Sequence, residues 1–253
     1  MKSRVNVLGV MVNAINTGDA ISTIDGWIQN RQSNYICVTS AHGILESQDD
    51  PVLKSILNFS GLTTPDGMSI VWILQLRGYR QVTRVYGPDL MKAVCEQSLI
   101  RGWSHFFYGG APGVAELLAG RLQQQFPGIN IVGWYTPPFR ELTSEEDKNI
   151  LREIYSVKPN IIWVGLSTPK QERWMASHVD NIPGTTLIGV GAAFDFLSGT
   201  KKQAPLWIQR SGTEWLFRLI TEPRRLWRRY IGYPRFVLLV LLQLFGIKRY
   251  DSV

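Results

Sequence analysis

The sequence predicts a doubly wound α/β domain with a largely parallel sheet, followed by a basic helical C-terminal appendage. Short apolar runs that fit buried strands alternate with segments of helical length along the first 200 residues. Gly, Ser, Thr or Pro follow most of these runs directly, as expected where a strand turns into a helix. Nearly all of the basic excess lies after residue 200, which sets the last segment apart.

The predicted strands are short apolar runs. Ile161 to Val164 is continuously apolar, which fits a parallel strand buried on both faces better than a half-exposed strand with alternating polarity. Further strands are predicted at residues 5–10, 35–39, 104–108, 129–134 and 186–190, and one leads into a junction at residues 62–67.

The predicted helices begin near residues that favour helix starts. Asn16 or Thr17 suits a helix that runs to about residue 30, and Thr143 suits another with an acidic first turn. Ser167 or Thr168 is expected to cap the helix that follows the strand at 161–164. The other helices are predicted at residues 50–60, 68–76, 88–101 and 112–126.

Composition is typical of a globular protein from a reducing compartment. Apolar residues make up 45% of the 253 residues, enough for a substantial core. Cys37 and Cys95 lie in predicted strand and helix segments and are expected to be buried thiols. Residues 1–30 contain no apolar stretch of signal-peptide length, so a cytoplasmic location is expected.

Residues 201–253, here called the tail, are predicted to form a helical membrane-association segment, distinct from a catalytic domain at residues 1–200. The tail carries eleven Lys and Arg against three acids, a charge of +8, whereas the first 200 residues carry 16 against 17. Such asymmetry indicates an anionic partner surface. Helices predicted at 207–219 and 223–230 precede an apolar segment at 236–245. As a helix this segment measures about 15 Å, half of a bilayer core, and cannot span it.

Arginines and aromatic residues precede the apolar segment, a composition typical of a peripheral membrane anchor. The arginines are Arg224, Arg225, Arg228, Arg229 and Arg235. An ordinary helical cap with an apolar oligomer contact is the alternative, which clustered arginines disfavour because they are costly to bury at an interface. Nucleic acid is not the expected partner, since the apolar segment would stay exposed on such a complex.

Polar or glycine-rich turns follow several predicted strands, at the sheet edge where open α/β folds bind ligands. These turns lie at residues 39–43, 66–67, 109–110, 167–171 and 191–195. Glycines let backbone amides approach a diphosphate closely. Lys170, Gln171 and Arg173 place polar and cationic groups in the first turn of a helix, against the preference of the helix dipole. This misfit suggests a ligand; a solvated helix start is the alternative.

The turns do not match common nucleotide motifs. Phe194 stands where a dinucleotide fingerprint starting at Gly189 would need its third glycine, and no Walker lysine motif occurs. Hydride transfer and ATP hydrolysis are therefore not favoured. The three histidines are scattered and no Asp-x-Asp pair occurs, so we expect neither a metal site nor a cofactor.

Two acids are candidates for chemistry. Asp66 lies between Pro65 and Gly67 at a strand end, where a partly desolvated carboxylate can act as a general base. Its alternative role is to cap the next helix. Asp195, among apolar residues after a glycine turn, could bind a nucleobase or ribose, or could be a satisfied buried carboxylate.

Taken together, these segments resemble the WecG/TagA/CpsF family of bacterial glycosyltransferases. The matching segments are TTPDGMSIV at 63–71, FYGG at 107–110, VGLSTPKQE at 164–172, GVGAAFD at 189–195 and EWLFRL at 214–219. They span almost the whole chain in the order expected for that family, which makes the resemblance specific.

The resemblance implies a Rossmann-like fold and metal-independent transfer, with inversion, of a sugar from a UDP-sugar to a polyprenyl-diphosphate-linked saccharide at the cytoplasmic membrane face. It implies Asp66 as the base and Thr39 near the acceptor or donor sugar. The residues placed near the nucleotide-sugar are Gly109, Gly110, Lys170, Gln171, Gly191 and, near uracil, Asp195. The tail arginines that would close on a diphosphate are Arg218, Arg224, Arg225, Arg228 and Arg229.

One departure from the family concerns the turn after the second predicted strand. Many members have Asn there, whereas this chain has Thr39-Ser40-Ala41-His42-Gly43. The family's Asn role in sugar recognition therefore does not transfer, and a hexose or an N-acetylated sugar both remain candidate donors. A non-catalytic membrane module that binds a polyprenyl lipid or a nucleotide-sugar is the alternative to an exopolysaccharide or cell-surface polysaccharide enzyme.

Overall fold

The computed structural model describes residues 3–252 and divides the chain into two compact units. Unit 1 comprises residues 3–16, Val38–Tyr86 and 203–252. Unit 2 comprises Thr17–Cys37 and Gly87–Lys202. The functional division expected at residue 200 stays a prediction.

The strands form a hairpin and a six-stranded sheet. Their bounds are β1 (Arg4–Val7), β2 (Val10–Asn13), β3 (Asn34–Thr39), β4 (Leu62–Pro65), β5 (Ser104–Gly109), β6 (Asn130–Tyr135), β7 (Ile161–Gly165) and β8 (Thr186–Gly189). The sheet has the order β4-β3-β8-β7-β5-β6, and the pairs from β3 through to β6 are parallel. The helices that connect and flank this sheet make the fold a Rossmann-like, doubly wound α/β fold, which confirms the prediction.

The helices follow the strands in the expected alternation. They are α1 (Thr17–Gln29), α2 (Ala41–Asp49), α3 (Pro51–Phe59), α4 (Met68–Leu76), α5 (Gly87–Arg101), α6 (Val114–Gln125), α7 (Ser144–Val157), α8 (Lys170–His178), α9 (Ala193–Leu197), α10 (Leu206–Arg210), α11 (Glu214–Thr221), α12 (Pro223–Tyr230) and α13 (Tyr233–Leu244). Thr143 caps α7 through a capping box with Glu146. In residues 3–252 no helix has both the length and the apolar character needed to cross a bilayer.

The strand expected at residues 5–10 is wrong in extent. Leu8 and Gly9 take positive φ angles of 53° and 85° and turn the chain between β1 and β2, which pair antiparallel. The single apolar run therefore belongs to two strands, because a tight turn interrupts it.

Two expected helix starts are also wrong. The polar turn expected at residues 40–43 is the beginning of α2, which starts at Ala41. At α8 the capping residue is Pro169, and neither Ser167 nor Thr168 caps the helix as expected. Ser167 has a φ of 64°, and the chain turns at Thr168 and Pro169 before the helix starts at Lys170.

The core matches the apolar runs. Ile161, Ile162, Trp163 and Val164 of β7 are all fully buried, as expected for a strand covered on both faces. Cys37 and Cys95 are buried thiols, which confirms that prediction. Burial raises the pKa of Cys95 to about 12, so this thiol stays protonated and unreactive.

Candidate active site

Asp66 of unit 1 lies directly after β4. Its backbone amide donates to the carbonyl oxygen of Thr39 at 3.0 Å, so the ends of β3 and β4 place these two candidate residues side by side. Gly67, not Asp66, occupies the capping position of α4. The helix-cap alternative for Asp66 is therefore wrong, and its side chain, 23% exposed, is open to another role.

Arg84 connects Asp66 to the tail. Its Nε donates to the backbone carbonyl of Asp66, and its Nη2 lies 2.7 Å from Oε2 of Glu214 in α11 but 3.9 Å from Oδ1 of Asp66. Tyr86 donates its hydroxyl to Oε1 of Glu214 at 2.9 Å, and its ring lies 3.8 Å from the Arg84 guanidinium carbon. A partly buried network thus holds one cation between two carboxylates.

The ionisation of this network follows from its burial and charges. Burial alone lowers the pKa of Arg84, but the carboxylates of Asp66 and Glu214 outweigh that effect and the pKa is raised. Burial, then Glu214 and Asp66, raise the pKa of Tyr86. Arg84 therefore stays charged and Tyr86 stays a neutral hydroxyl donor.

The tail arginines fall into two groups. Arg218 and Arg229 are half-buried, and burial followed by repulsion from Arg218 lowers the pKa of Arg229. His42, at the start of α2, has its pKa lowered to about 3 by burial and by Arg229, so it is neutral. These two arginines therefore form a positively charged region in the same unit as Asp66.

Aromatic side chains accompany that region. The rings of Tyr230 and Tyr233 meet edge to face at 5.0 Å, and Trp215 lies within 6.0 Å of both. Burial raises the pKa of Tyr233, and Tyr230 and Asp66 add to the increase. Tyr233 is thus a neutral hydroxyl in the electrostatic environment of Asp66.

The other predicted arginines face solvent. Arg224, Arg225 and Arg228 are exposed; Arg225 pairs with Glu222 at 2.7 Å, and Arg228 lies 5.4 Å from the ring of Trp227. Exposed cations of this kind suit a surface interaction better than a fixed contact with a small ligand.

Close-packed glycines form the strand ends of unit 2. A Cβ on Gly109, whose φ is 123°, would lie 2.7 Å from the backbone of Gly165, and one on Gly165 would lie 2.8 Å from the ring of Phe194. A Cβ on Gly189 would lie 2.7 Å from the Met175 side chain. These glycines are needed for packing, whatever else they contact.

Two of the backbone amides expected to face a diphosphate are engaged within unit 2. The amide of Gly110 donates to Gly165 O at 3.0 Å, and that of Gly191 donates to Val164 O at 3.3 Å. The side chain of Gln171 lies next to Gly191, since a Cβ added there would be 3.4 Å from Gln171 Oε1. At these strand ends the polar groups available to a ligand therefore come more from side chains, and less from backbone amides, than the sequence predicts.

The side chain of Gln171 is buried and held by its neighbour. Its Nε2 donates to Oε1 of Glu172 at 3.0 Å, and Thr168 donates to the same oxygen at 2.9 Å. In residues 3–252 no partner is found for Oε1 of Gln171. Lys170, one residue earlier, is exposed. An oriented amide beside a strand end is suited to bind a polar ligand.

Asp195 lies on α9 and forms an ion pair with Lys201 at 2.7 Å. Its carboxylate is 21% exposed, so it forms an ion pair but stays accessible to solvent. Both alternatives left open by the sequence, ligand binding and internal pairing, are compatible with this position.

Sequence patterns alone missed Arg84, Tyr86, Glu214 and Glu172. Glu214 begins the matched segment EWLFRL and is one of only three acids in a tail with eleven cations. Glu172 ends the matched segment VGLSTPKQE. Neither signal indicates which residue the carboxylate contacts. Among the described residues no group of three His, Cys, Asp or Glu side chains is arranged to hold a metal ion.

Comparisons with known proteins identify relatives over most of the chain. The glycosyl transferase WecG/TagA/CpsF family matches residues 5–250. A Bacillus spizizenii protein named N-acetylglucosaminyldiphosphoundecaprenol N-acetyl-beta-D-mannosaminyltransferase is 28% identical over 215 residues, which cover 85% of this chain and 81% of that protein. A Bacillus subtilis protein of the same name is 29% identical over 186 residues, 74% of this chain and 70% of that protein. Since the family match spans nearly the whole chain, this protein belongs to the WecG/TagA/CpsF family of glycosyl transferases.

Proposed function

We propose that this protein transfers a sugar from a UDP-sugar to a polyprenyl-diphosphate-linked saccharide, with inversion at the anomeric carbon. The observation that carries the proposal is the carboxylate of Asp66, which lies at a strand end without capping a helix and belongs to a partly buried polar network. Family membership supports the reaction class.

In this mechanism Asp66 removes the proton from the acceptor hydroxyl as that oxygen attacks the anomeric carbon. The sugar–phosphate bond breaks on the opposite face, and UDP leaves. A well-placed base contributes roughly 10² to 10⁴ to the rate, and positioning of the two substrates contributes much of the rest. Thr39, joined to Asp66 through the backbone, is proposed to contact one of the sugars.

Unit 2 is proposed to bind the nucleotide-sugar. Gln171 offers an oriented amide, Lys170 an exposed cation, and Asp195 a carboxylate for the nucleobase or ribose. Gly109, Gly110 and Gly191 shape the strand ends beside them. Lys170 is proposed to stabilise diphosphate charge in unit 2, and Arg218 and Arg229 are proposed to do so in unit 1.

The tail is proposed to attach the protein to an anionic membrane surface, where a polyprenyl-linked acceptor would lie. Helix α13 packs against α2 and buries Phe236 and Val240, while Val237, Leu238 and Leu241 on its other faces are each more than 40% exposed. The exposed arginines Arg224, Arg225 and Arg228 would add attraction to anionic lipid.

The donor class is proposed from the relatives. Both are named as N-acetylmannosaminyltransferases that act on an N-acetylglucosaminyl-diphosphoundecaprenol acceptor, which favours an N-acetylhexosamine as the donor sugar here. The sequence Ser40-Ala41-His42 after β3 differs from the family pattern, so the donor panel must also include hexoses.

The test is incubation of the protein with a panel of UDP-sugars and a short-chain polyprenyl diphosphate carrying N-acetylglucosamine. We expect one donor to give a product heavier by one sugar residue, with release of UDP. Binding of a UDP-sugar without any product across the panel would contradict the catalytic proposal and support a binding module.

A further inference from the structure

We propose that Glu214 of the tail is a positioning residue. By pairing with Arg84 it keeps the guanidinium from closing on the carboxylate of Asp66, and so maintains the basicity of Asp66. This inference rests on the proposed role of Asp66 as the general base. The ion pair between Arg84 and Glu214 carries it, since the same guanidinium nitrogen lies 2.7 Å from Glu214 and 3.9 Å from Asp66.

Arg84 is fixed beside Asp66 independently of either carboxylate. Its Nε donates to the backbone carbonyl of Asp66, and its guanidinium carbon lies 3.8 Å from the centre of the Tyr86 ring. The guanidinium is planar and also carries the N–H groups of its two Nη atoms. A small rotation of this plane therefore decides whether these N–H groups point at Glu214 or at Asp66. With Glu214 absent, the nearest carboxylate recorded for these donors is that of Asp66.

Glu214 is held in place to accept that cation. It is 8% exposed, lies in the first turn of α11, and accepts a hydrogen bond from the Tyr86 hydroxyl at 2.9 Å through its other oxygen. A buried carboxylate that accepts a hydrogen bond from a neutral donor at one oxygen and pairs with a cation at the other is held in one orientation.

The consequence for catalysis has a definite sign. A cation that closes on a carboxylate favours its charged form and lowers its pKa by about one to three units. A lower pKa makes a weaker base, because the efficiency of general-base catalysis follows basicity. Ionisable groups near Asp66 also include Tyr86 and Tyr233, both of which stay neutral because burial raises their pKa values. Arg218 and Arg229 act on Tyr233 together with Asp66, and these two cations are unchanged in every variant compared in the test below.

The tail therefore has a role in catalysis apart from membrane attachment, because Glu214 belongs to it. A tail that is displaced removes Glu214 from Arg84 and leaves Asp66 as a poorer base. The full basicity of Asp66 thus depends on the correct position of α11.

The test is the pH dependence of turnover on a soluble short-chain acceptor for Glu214→Gln. The amide keeps the shape and one acceptor oxygen, which can serve either Tyr86 or Arg84, but it removes the charge. We expect the acid limb of the profile to move down by about one pH unit and the plateau rate to fall by about threefold or more. Glu214→Asp retains the charge but shortens the side chain by one methylene, so the limb should move in the same direction but less than in Glu214→Gln.

Asp49→Asn is the matched control. Asp49 lies in the same unit and pairs with Arg235 at 2.7 Å, but it is exposed, so the same loss of charge should leave the limb in place. Tyr86→Phe, which loses only the hydroxyl bond to Glu214, should shift the limb less than Glu214→Gln and in the same direction. Tyr86→Phe therefore allows the shift of the acid limb to be measured even if Glu214→Gln does not fold.

Two other outcomes are distinct. A uniform fall in rate at every pH, with the limb unmoved in both Glu214→Gln and Tyr86→Phe, would show a merely structural contact and overturn this inference. Substantial activity in Asp66→Asn would overturn the base assignment itself, and with it the proposed mechanism, whatever Glu214→Gln does.

Discussion

The two units build their candidate sites in different ways. In unit 1 Asp66 and Arg84 are 18 residues apart, and ionic contacts join them to Glu214 far along the chain. The bond from Tyr86 to Glu214 spans 128 residues. In unit 2 the candidate residues follow neighbouring parallel strands, whose glycines are fixed by close packing. We therefore expect substitutions in unit 1 to change turnover first and glycine substitutions in unit 2 to change stability first.

The largest expected effect is that of Asp66→Asn. The amide has the size of the carboxylate but almost no basicity, so turnover should fall at least a hundredfold, the lower bound for general-base catalysis. UDP affinity and thermal stability should stay near wild type, because Gly67, not Asp66, caps α4. Steady-state turnover, UDP titration and thermal melting measure the three quantities. More than about a tenth of wild-type activity would sink the base assignment.

Gly109→Ala tests the packing in unit 2. A Cβ there would lie 2.7 Å from the backbone of Gly165, and the φ of 123° is unfavourable for alanine, so we expect a loss of about 3 kcal/mol or more in the free energy of unfolding. Gly113→Ala is the matched control, since its φ is 81° but nothing lies within 4 Å of the added carbon. It should lose about 1 kcal/mol. Equal losses in urea unfolding would contradict the packing argument.

Adjacent arginines in α12 separate the two functions of the tail. Arg229 is half-buried near Arg218, so Arg229→Gln should lower turnover on a soluble acceptor about tenfold, the value of one charge-assisted bond to phosphate. Arg228 is exposed, so Arg228→Gln should mainly weaken binding to vesicles of anionic lipid, by about fivefold. If both variants lost vesicle binding alone, these arginines would serve membrane attachment only.

The sequence alone predicts features that depend on the order of residues within a short segment. The alternation of strands and helices, the buried run in β7 and the strand-end position of Asp66 all follow from apolar runs and the residues that bound them. The errors lie at turns. The start of α2 and the Pro169 cap depend on backbone angles, such as the φ of 64° at Ser167, that residue types do not specify.

The contacts around Asp66 could not be predicted in this way. Arg84 lies in a segment without a recognisable motif, and Glu214 belongs to a helix far along the chain, so only the tertiary fold pairs them. The same holds for the difference between Arg228 and Arg229. These neighbours look alike in sequence, and only the packing of α12 makes one exposed and the other half-buried.

The smallest expected effect is that of chelation: excess EDTA should leave turnover unchanged. The carboxylates proposed to take part in the reaction each face a cation of the protein, Asp66 with Arg84 and Asp195 with Lys201 at 2.7 Å, which disfavours their use as ligands for a divalent ion. Diphosphate charge would instead be met by cations of each unit, Lys170 in unit 2 and Arg218 and Arg229 in unit 1. Turnover measured with EDTA, and again with added Mg²⁺ or Mn²⁺, tests this. Strict dependence on either ion would show that a metal, and not these side chains, stabilises the leaving UDP. It would also make Arg229→Gln a milder change than predicted, so the two experiments check each other.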